Sequence, residues 1–277
     1  MSLPLTLRFW GVRGSLPVPG THTQRYGGNT SCLEIRHGEH LIIVDCGSGA
    51  YPLGKRMMET CEMDADLLFT HTHQDHVCGL PFFKPAYSAE AEIRCWAGHL
   101  DHGLDLNHVL SWLMAPALFP VPVDSLQGCR LNTFIAGDTL DLAPGLTVRT
   151  MMLNHPGGAV GYRLEGETGV LAVITDHEHG HAEIDAALPD FVEGADVMVY
   201  DANYTDEEYA HHVGWGHSTW NKGLELARTA GVKKTFMFHH APHRTDDQLD
   251  RLAGQMAGQS PSAVPATEGL TVIVGRN

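Results

Sequence analysis

A run of three histidines and one aspartate within six residues constrains the fold and the function of this chain more than any other feature. These residues are His71, His73, Asp75 and His76. The apolar run Leu67-Leu68-Phe69 directly precedes them and predicts a buried strand over residues 66–70, which places the run on the loop where the strand ends. Neutral imidazole and carboxylate are the usual protein ligands of Zn²⁺, Mn²⁺ and Fe²⁺. The segment therefore predicts a metal site rather than a solvated loop that happens to be rich in histidine.

Further motifs accompany this run in a fixed order. They are Phe9-Trp10-Gly11-Val12-Arg13-Gly14-Ser15, Tyr26-Gly27-Gly28-Asn29-Thr30-Ser31-Cys32, Gly79-Leu80-Pro81-Phe82-Phe83, Asn154-His155-Pro156-Gly157-Gly158, Thr175-Asp176, Gly214-Trp215-Gly216-His217-Ser218-Thr219 and Phe238-His239-His240-Ala241-Pro242. With His71-Thr72-His73-Gln74-Asp75-His76, they resemble the metallo-β-lactamase superfamily and its HxHxDH signature. The resemblance is to the phosphodiesterase-like branch, which is similar to ribonuclease Z, class II cyclic-nucleotide phosphodiesterases and phosphonate-pathway phosphodiesterases.

The resemblance implies a site for two metal ions. It assigns one ion to His71, His73 and His155, the second ion to Asp75, His76 and His239, and the bridge between them to Asp176. His240 is the alternative to His239, and a loop position without a metal is the alternative for His155. The candidates also recur at the ends of predicted strands, which by itself indicates one site at one rim of the fold.

Two metal ions about 3.5–4 Å apart would share a bridging hydroxide and clamp a phosphoryl oxygen. Zinc is the expected metal, with manganese and iron as alternatives. Asp75 could also orient the hydroxide, which makes it a candidate catalytic residue as well as a ligand. His217 resembles a histidine of ribonuclease Z that faces the substrate phosphate. The alternative for His217 is a structural position at a helix N-terminus, next to a capping Ser218.

Four further residues are candidates for supporting the site or contacting the substrate. They are Asp45, Asp201, His177 and His240. Asp45 either accepts a hydrogen bond from a ligand imidazole or caps the helix that follows it. Asp201 either plays the same supporting role or caps the turn over residues 205–209. We expect His99, His102 and His108 at the surface, because no carboxylate pattern accompanies them.

Alternating and continuous apolar runs predict a strand-rich chain with helices between the strands. The predicted strands cover 5–11, 31–36, 40–45, 66–70, 92–96, 139–142, 146–153, 160–165, 170–175, 197–200, 235–238 and 270–274, and the predicted helices cover 52–60, 104–114, 219–230 and 247–256. Two sheets packed face to face with helices outside fit this pattern, and the resemblance implies the four-layer αββα sandwich of the α+β class. We expect one domain over 1–277, built from similar halves at about 1–135 and 136–277.

Composition limits the partners and the location. Lysine and arginine number 18 against 33 acidic residues, so the net charge of −15 makes a long nucleic-acid partner unexpected. We expect no membrane span, because no run of eighteen apolar residues occurs. Six cysteines without a CxxC pair and the absence of a signal-peptide pattern favour reduced thiols in the cytoplasm. A homodimer is open as an alternative to a monomer.

These observations favour a dinuclear metal-dependent phosphodiesterase that acts on a small substrate such as a cyclic nucleotide. The alternatives are a hydrolase of the same fold that cleaves a lactone, a thioester or a sulfate ester, a tRNA 3′-processing nuclease, and a metal-binding protein without turnover. The segment 115–124 contains three prolines among apolar residues and predicts either a lid or pocket wall, or surface packing.

Overall fold

The computed structural model describes residues 3–101 and 103–275, and two seven-stranded β-sheets dominate it. The strand order of the first sheet is β14-β1-β2-β3-β4-β5-β6. Its strands are β1 (Leu5–Gly11), β2 (Cys32–His37), β3 (His40–Val44), β4 (Asp64–Leu68), β5 (Glu92–Ala97), β6 (Cys129–Thr133) and β14 (Thr271–Val274). Strands β3 to β6 run parallel, so their carboxyl ends meet at one edge of the sheet.

The second sheet has the order β13-β12-β11-β10-β9-β8-β7. Its strands are β7 (Thr139–Ala143), β8 (Leu146–Leu153), β9 (Ala159–Gly166), β10 (Val170–Ile174), β11 (Val197–Asp201), β12 (Thr235–Phe238) and β13 (Ala263–Pro265). Strands β10 to β13 run parallel. The carboxyl ends of β10, β11 and β12 therefore also share one edge.

Helices cover the outer face of each sheet, and three apolar clusters separate the layers. The helices are α1 (Ala50–Thr60), α2 (Gln74–Val77), α3 (Leu106–Leu113), α4 (Ala182–Val192), α5 (Asp206–Tyr209), α6 (Trp220–Thr229) and α7 (Asp246–Gln259). One cluster, which includes Phe9 and Tyr162, fills the space between the sheets. A second packs α1 and α3 on the first sheet, and a third packs α4, α6 and α7 on the second. The predicted αββα sandwich is confirmed.

The hairpins and most of the helices lie where the sequence predicts them. The pair β2 and β3 turns at His37 and His40, and the pair β7 and β8 turns before Leu146. The sequence analysis missed β6, α4 and β13, and it did not assign the one-turn helices α2 and α5. Strand β6 lies at a sheet edge with mostly exposed polar side chains, and α4 contains Pro189 in its interior, so neither has the expected pattern.

The division of the chain into one domain with two halves stays a prediction. Strands β1 to β6 lie in the first sheet and β7 to β13 in the second, whereas β14 returns to the first sheet beside β1. Across residues 3–101 and 103–275, no helix is long and apolar enough to cross a lipid bilayer.

Candidate metal centre

Three residues of the candidate centre turn the chain sharply at the end of a strand. Asp45 follows β3, Asp176 follows β10 after one intervening residue, and His239 follows β12. All three adopt the left-handed backbone region, with φ of 63°, 54° and 60°. That conformation is unfavourable for residues other than glycine, and it persists where surrounding contacts hold it, often at functional sites. These turns place the three side chains at the rim of the sandwich, where parallel strands of both sheets end.

One group of ring nitrogens comes from His71, His73 and His155. The Nδ1 atom of His73 lies 2.9 Å from Nε2 of His71 and 3.0 Å from Nε2 of His155. Burial lowers the pKa of His71 most strongly and that of His155 as well, and partial desolvation lowers the pKa of His73, whose side chain is otherwise exposed. Three neutral imidazoles with converging nitrogens are a typical donor set for Zn²⁺.

A second group comes from Asp75, His76 and His239. Oδ2 of Asp75 lies 3.1 Å from Nε2 of His239 and 3.3 Å from Nε2 of His76. The two Nε2 atoms are 3.4 Å apart. Burial on its own would raise the pKa of Asp75, but His76 and His239 hold that pKa well below its usual range. Asp75 is therefore an ionised carboxylate aimed at two imidazoles.

Asp176 faces both groups at once. Its Oδ2 atom lies 3.7 Å from Nε2 of His71 and 3.8 Å from Nε2 of His155. Its Oδ1 atom lies 3.3 Å from Nε2 of His76 and 3.3 Å from Nε2 of His239. Burial opposes ionisation, but the surrounding imidazoles hold the pKa of Asp176 well below its usual range. One carboxylate with an oxygen toward each donor group suits a bridge between two cations.

The donor chemistry of this cluster fits two divalent ions. Each donor is an imidazole nitrogen or a carboxylate oxygen, and within each of several three-residue sets these atoms lie within 4.8 Å of one another. All of these residues except His73 are buried. Buried carboxylates and imidazoles at such density suit bound cations, which makes this cluster the candidate metal centre of the chain.

Asp45 holds one imidazole of the cluster. His76 Nδ1 donates to Asp45 Oδ2 at 2.7 Å, and Ser31 Oγ and the Thr70 amide each donate to the same carboxylate at 2.8 Å. The alternative role as a helix cap is not observed, since α1 begins after Gly49 without a side-chain cap. Asp45 thus fixes the His76 ring with Nε2 toward the centre.

His217 stands beside both donor groups and is held by Asp201. The Nδ1 atom of His217 donates to Asp201 Oδ2 at 2.8 Å, and the ring lies 4.7 Å from that of His239 and 5.4 Å from that of His155. Burial lowers the pKa of His217, but Asp201 outweighs it and the pKa rises to about 9. In the metal-free protein, the contact with Asp201 therefore favours the imidazolium form of His217 at neutral pH.

The capping alternatives for this region are not observed. The N-cap of α5 is Thr205, which forms a capping box with Glu208, and the N-cap of α6 is Thr219 rather than Ser218. Asp201 instead accepts N–H groups from His177 and Asn203 at 3.2 and 3.1 Å in addition to the His217 ring.

Two predicted supporting residues lie away from the cluster. His240 Nε2 donates to the Ala266 carbonyl at 2.9 Å, and burial lowers its pKa to about 3. The His177 ring lies 3.7 Å from Asp185, a residue of α4, and only its backbone N–H reaches Asp201. Among the described residues, the sets that could hold a metal include neither of them. His239, not His240, is the member of this pair that points into the centre.

The expectation of a surface position for His99 is wrong. His99 is buried, its Nε2 lies 3.0 Å from Thr72 Oγ1, and burial lowers its pKa to about 4. His108 is exposed as expected, whereas His102 lies outside the described residues.

Sequence reasoning missed two residues that support the cluster. The Glu178 carboxylate accepts the N–H groups of Gly214 at 2.6 Å and Gly216 at 2.7 Å, and the Gly216 carbonyl accepts from His155 Nδ1 at 2.8 Å. The Asn203 amide lies 3.2 Å from His239 Nδ1. The two glycines of Gly214-Trp215-Gly216 indicate a tight loop in the sequence, but no local signal marks Glu178 or Asn203.

Two glycines permit close approaches in this region. A Cβ atom at Gly216 would lie 2.3 Å from His155 Nδ1, and the φ of Gly216 is 86°. A Cβ atom at Gly79 would lie 2.0 Å from the Gly47 carbonyl oxygen, which explains the glycine that follows the histidine run.

Comparisons with known proteins agree with this architecture. A sequence model of the family described as "Beta-lactamase superfamily domain" matches residues 40–240. Ribonuclease Z from Haloarcula marismortui is 24% identical over 284 residues, which cover 86% of this chain and 86% of that protein.

Two solved structures share the fold over nearly the whole chain. The metallo-β-lactamase fold protein YhfI from Bacillus subtilis has a TM-score of 0.74 and 16% identity, with 98% of this chain and 99% of that chain covered. A diphosphatase from the PhnP family has a TM-score of 0.72 and 18% identity, with 99% and 98% covered. At these identities the structural likeness shows the fold.

Proposed function

Given that the chain belongs to the β-lactamase superfamily and is a metal-dependent hydrolase, we propose that it cleaves a small phosphodiester, with a cyclic nucleotide as the leading candidate substrate. One observation carries this proposal. Asp176 presents one oxygen to each of two donor groups, and His217, held by Asp201, stands beside both groups. Such an arrangement suits a reaction in which negative charge gathers on several oxygens of one phosphoryl group.

The proposed ligands follow the two donor groups. His71, His73 and His155 would hold one ion, Asp75, His76 and His239 the other, and Asp176 both. Zinc fits this nitrogen-rich set, with manganese and iron as alternatives. Two such ions would generate a nucleophile from water at neutral pH and neutralise charge on the phosphoryl oxygens.

The protein's own contribution centres on His217. Its Nδ1–H is committed to Asp201, which fixes the ring and leaves Nε2–H free to donate. From Nε2 the imidazolium can donate to a phosphoryl oxygen or transfer a proton to the departing oxygen. Glu178 holds Gly216, whose carbonyl accepts a hydrogen bond from His155 and so keeps that ring in place. Asp45 keeps the His76 ring in place by accepting its Nδ1–H.

Other substrates remain as alternatives. A lactone, thioester or sulfate ester could be cleaved at the same centre. The net charge of −15 argues against a long polyanion, but the ribonuclease Z relative spans most of the chain, so an RNA substrate stays open. A protein that only stores or senses metal would have no need of an ion-paired imidazolium beside the donor groups.

The deciding experiment is a substrate panel with zinc-loaded protein. It compares bis-p-nitrophenyl phosphate, cyclic nucleotides, a lactone, a thioester, a sulfate ester and a tRNA precursor by kcat/KM. We expect the small phosphodiesters to be preferred. A clear preference for a lactone, thioester or sulfate ester would replace the proposal with that activity, preference for the tRNA precursor would make the chain a processing nuclease, and no turnover of any substrate would favour a binding protein.

A further inference from the structure

A row of aromatic rings leads from His217 to the surface. The Tyr204 ring lies 6.0 Å from that of His217, and the His212 ring stacks on Tyr204 at 4.6 Å with an interplanar angle of 20°. The Trp215 ring meets His212 edge-on at 5.0 Å. Tyr204 is buried, whereas Trp215 is 64% exposed. The row therefore begins at the proposed catalytic imidazolium and ends on an indole that faces solvent.

The loop that carries Trp215 is fixed on both sides of the indole. Glu178 accepts the N–H groups of Gly214 and Gly216, the residues immediately before and after Trp215. The backbone N–H of Trp215 donates to the His212 carbonyl at 3.0 Å. The His212 ring itself donates from Nδ1 to the Glu208 carbonyl at 2.6 Å. An aromatic surface that is already ordered loses little conformational freedom when a ligand stacks on it.

Two neighbouring features argue that this exposed indole has a ligand. Single exposed apolar side chains are common and need no explanation. Here, however, Val213 is 66% exposed on the same loop, and the ordered rings behind Trp215 connect it to His217 without a break. A phosphodiester oxygen that accepts a hydrogen bond from His217 would place the attached organic group near the inner end of this row, since the Tyr204 ring lies 6.0 Å from that of His217.

We propose that Trp215, backed by His212 and Tyr204, is a stacking platform for a planar aromatic group of the substrate, with a nucleobase as the favoured occupant. The proposal rests on the proposed phosphodiesterase function and specifies the class of substrate. Stacking on an aromatic side chain tolerates every base, because each base has a π-face. The platform would therefore favour nucleotides over phosphates without a ring, without selecting one base.

The test measures binding independently of turnover. Zinc-loaded wild type and Trp215→Ala are titrated calorimetrically with AMP, phenyl phosphate and ribose 5-phosphate. In the wild type, AMP should bind on the order of 10-fold more tightly than ribose 5-phosphate, and Trp215→Ala should abolish most of that ratio. Trp215→Phe should retain most of it. Trp112→Ala is the matched control, because Trp112 is 58% exposed on α3 in the other helical layer.

Each outcome bears on the platform. The proposal is overturned if the wild type binds neither AMP nor phenyl phosphate more tightly than ribose 5-phosphate, or if Trp215→Ala keeps the wild-type ratio. A gain for phenyl phosphate alone would support the platform and assign it to a small aryl group instead of a base.

Kinetics separate this proposal from the proposed function. The second substrate is glycerol 1,2-cyclic phosphate, a cyclic diester without a base. In Trp215→Ala, the preference in KM for cyclic AMP over this diester should fall on the order of 10-fold. The kcat on cyclic AMP should stay within about twofold of the wild-type value. If the wild type cleaves no diester, the proposed function fails while the calorimetric ratios still decide whether the platform exists.

Discussion

The proposed chemistry depends most on His217. Its ring lies beside both donor groups, and it is not itself a proposed metal ligand. We expect His217→Ala to lower kcat on phosphodiesters by on the order of 10²–10³ while the zinc content is unchanged. His108→Ala, which removes an exposed histidine, should leave both unchanged. Full activity in His217→Ala would make His217 a structural residue at the start of α6.

The leaving group separates the two roles of His217. A general acid matters less for p-nitrophenolate, which needs little protonation, than for a ribose alkoxide. A group that only stabilises charge on the phosphoryl oxygens matters about equally for both. The ratio of the His217→Ala effects on bis-p-nitrophenyl phosphate and on a cyclic nucleotide therefore assigns the role.

The ion pair of His217 with Asp201 predicts a pH-dependent stability of the metal-free protein. Folding raises the pKa of His217 from 6.5 to about 9, so the stabilisation is complete below pH about 6.5 and is lost as the pH rises through about 9. We expect Asp201→Asn to lower the free energy of unfolding by about 1–3 kcal/mol at pH about 6 and by much less at pH about 10. Urea unfolding in chelator measures both values. An equal loss at the two pH values would contradict the assignment of the proton to His217.

At the scale of elements, the loop over residues 211–217 depends on one buried carboxylate. Glu178→Ala would remove the acceptor of the Gly214 and Gly216 N–H groups and release the carbonyl that orients His155. We expect the melting temperature to fall by several degrees and zinc affinity to fall on the order of 10-fold or more. Glu183→Ala, an exposed position in the first turn of α4, is the control. Equal melting temperatures and zinc affinities in the two variants would show that Glu178 does not hold the loop.

The segment 115–124 has contacts that favour packing over a lid. The Phe119 ring meets that of Phe82 edge-on at 5.5 Å and packs on the apolar cluster between α1, α3 and the first sheet. We expect Phe119→Ala to lower the melting temperature and to leave KM within about twofold. Leu118→Ala, at a position 76% exposed, should change neither. A raised KM with an unchanged melting temperature would support a lid instead.

Local sequence patterns were sufficient to predict most helices and strands. They failed where the residues of an element do not show the pattern typical of that element. Strand β1 alternates buried and half-buried residues, and β10 is a continuous buried run, so both could be read from the sequence. Helix α4 could not be predicted, because Pro189 lies inside it and local preference disfavours a helix there. Tertiary packing of Leu188 and Phe191 stabilises the helix instead. Tertiary contacts override local preference at such points.

At the scale of the whole molecule, those residues of the candidate centre that lie at the ends of strands could be predicted from the sequence. Parallel strands of both sheets end at the edge where Asp45, Asp176 and His239 turn inward, and each of these residues directly follows an apolar run or comes one residue later. Glu178 and His99 were not predictable, because their partners lie 36 and 27 residues away along the chain. Nothing in the flanking residues distinguishes a buried histidine such as His99 from an exposed one.

Buried negative charge is concentrated where the two sheets meet. Asp45, Asp75 and Asp176 are all buried there, in a chain with a net charge of −15. In the absence of metal ions, protonated imidazoles compensate the charge of these carboxylates, and the carboxylates raise the pKa of His76 above its usual value, against the effect of burial. Two divalent ions would take over this compensation.

Metal removal should therefore destabilise the entire fold, because ions that bind only the folded state add about 2.7 kcal/mol of stability at a free concentration 100 times their dissociation constant. We expect elemental analysis to find close to two divalent ions per chain, and chelation to lower the melting temperature by several degrees, with recovery on adding zinc. His73→Ala and Asp176→Ala should each hold fewer ions and respond less to zinc, whereas His108→Ala should behave as the wild type. At most one tightly bound ion in fully loaded protein would contradict the bridging role of Asp176, since its two oxygens face separate donor groups that a single ion could not satisfy.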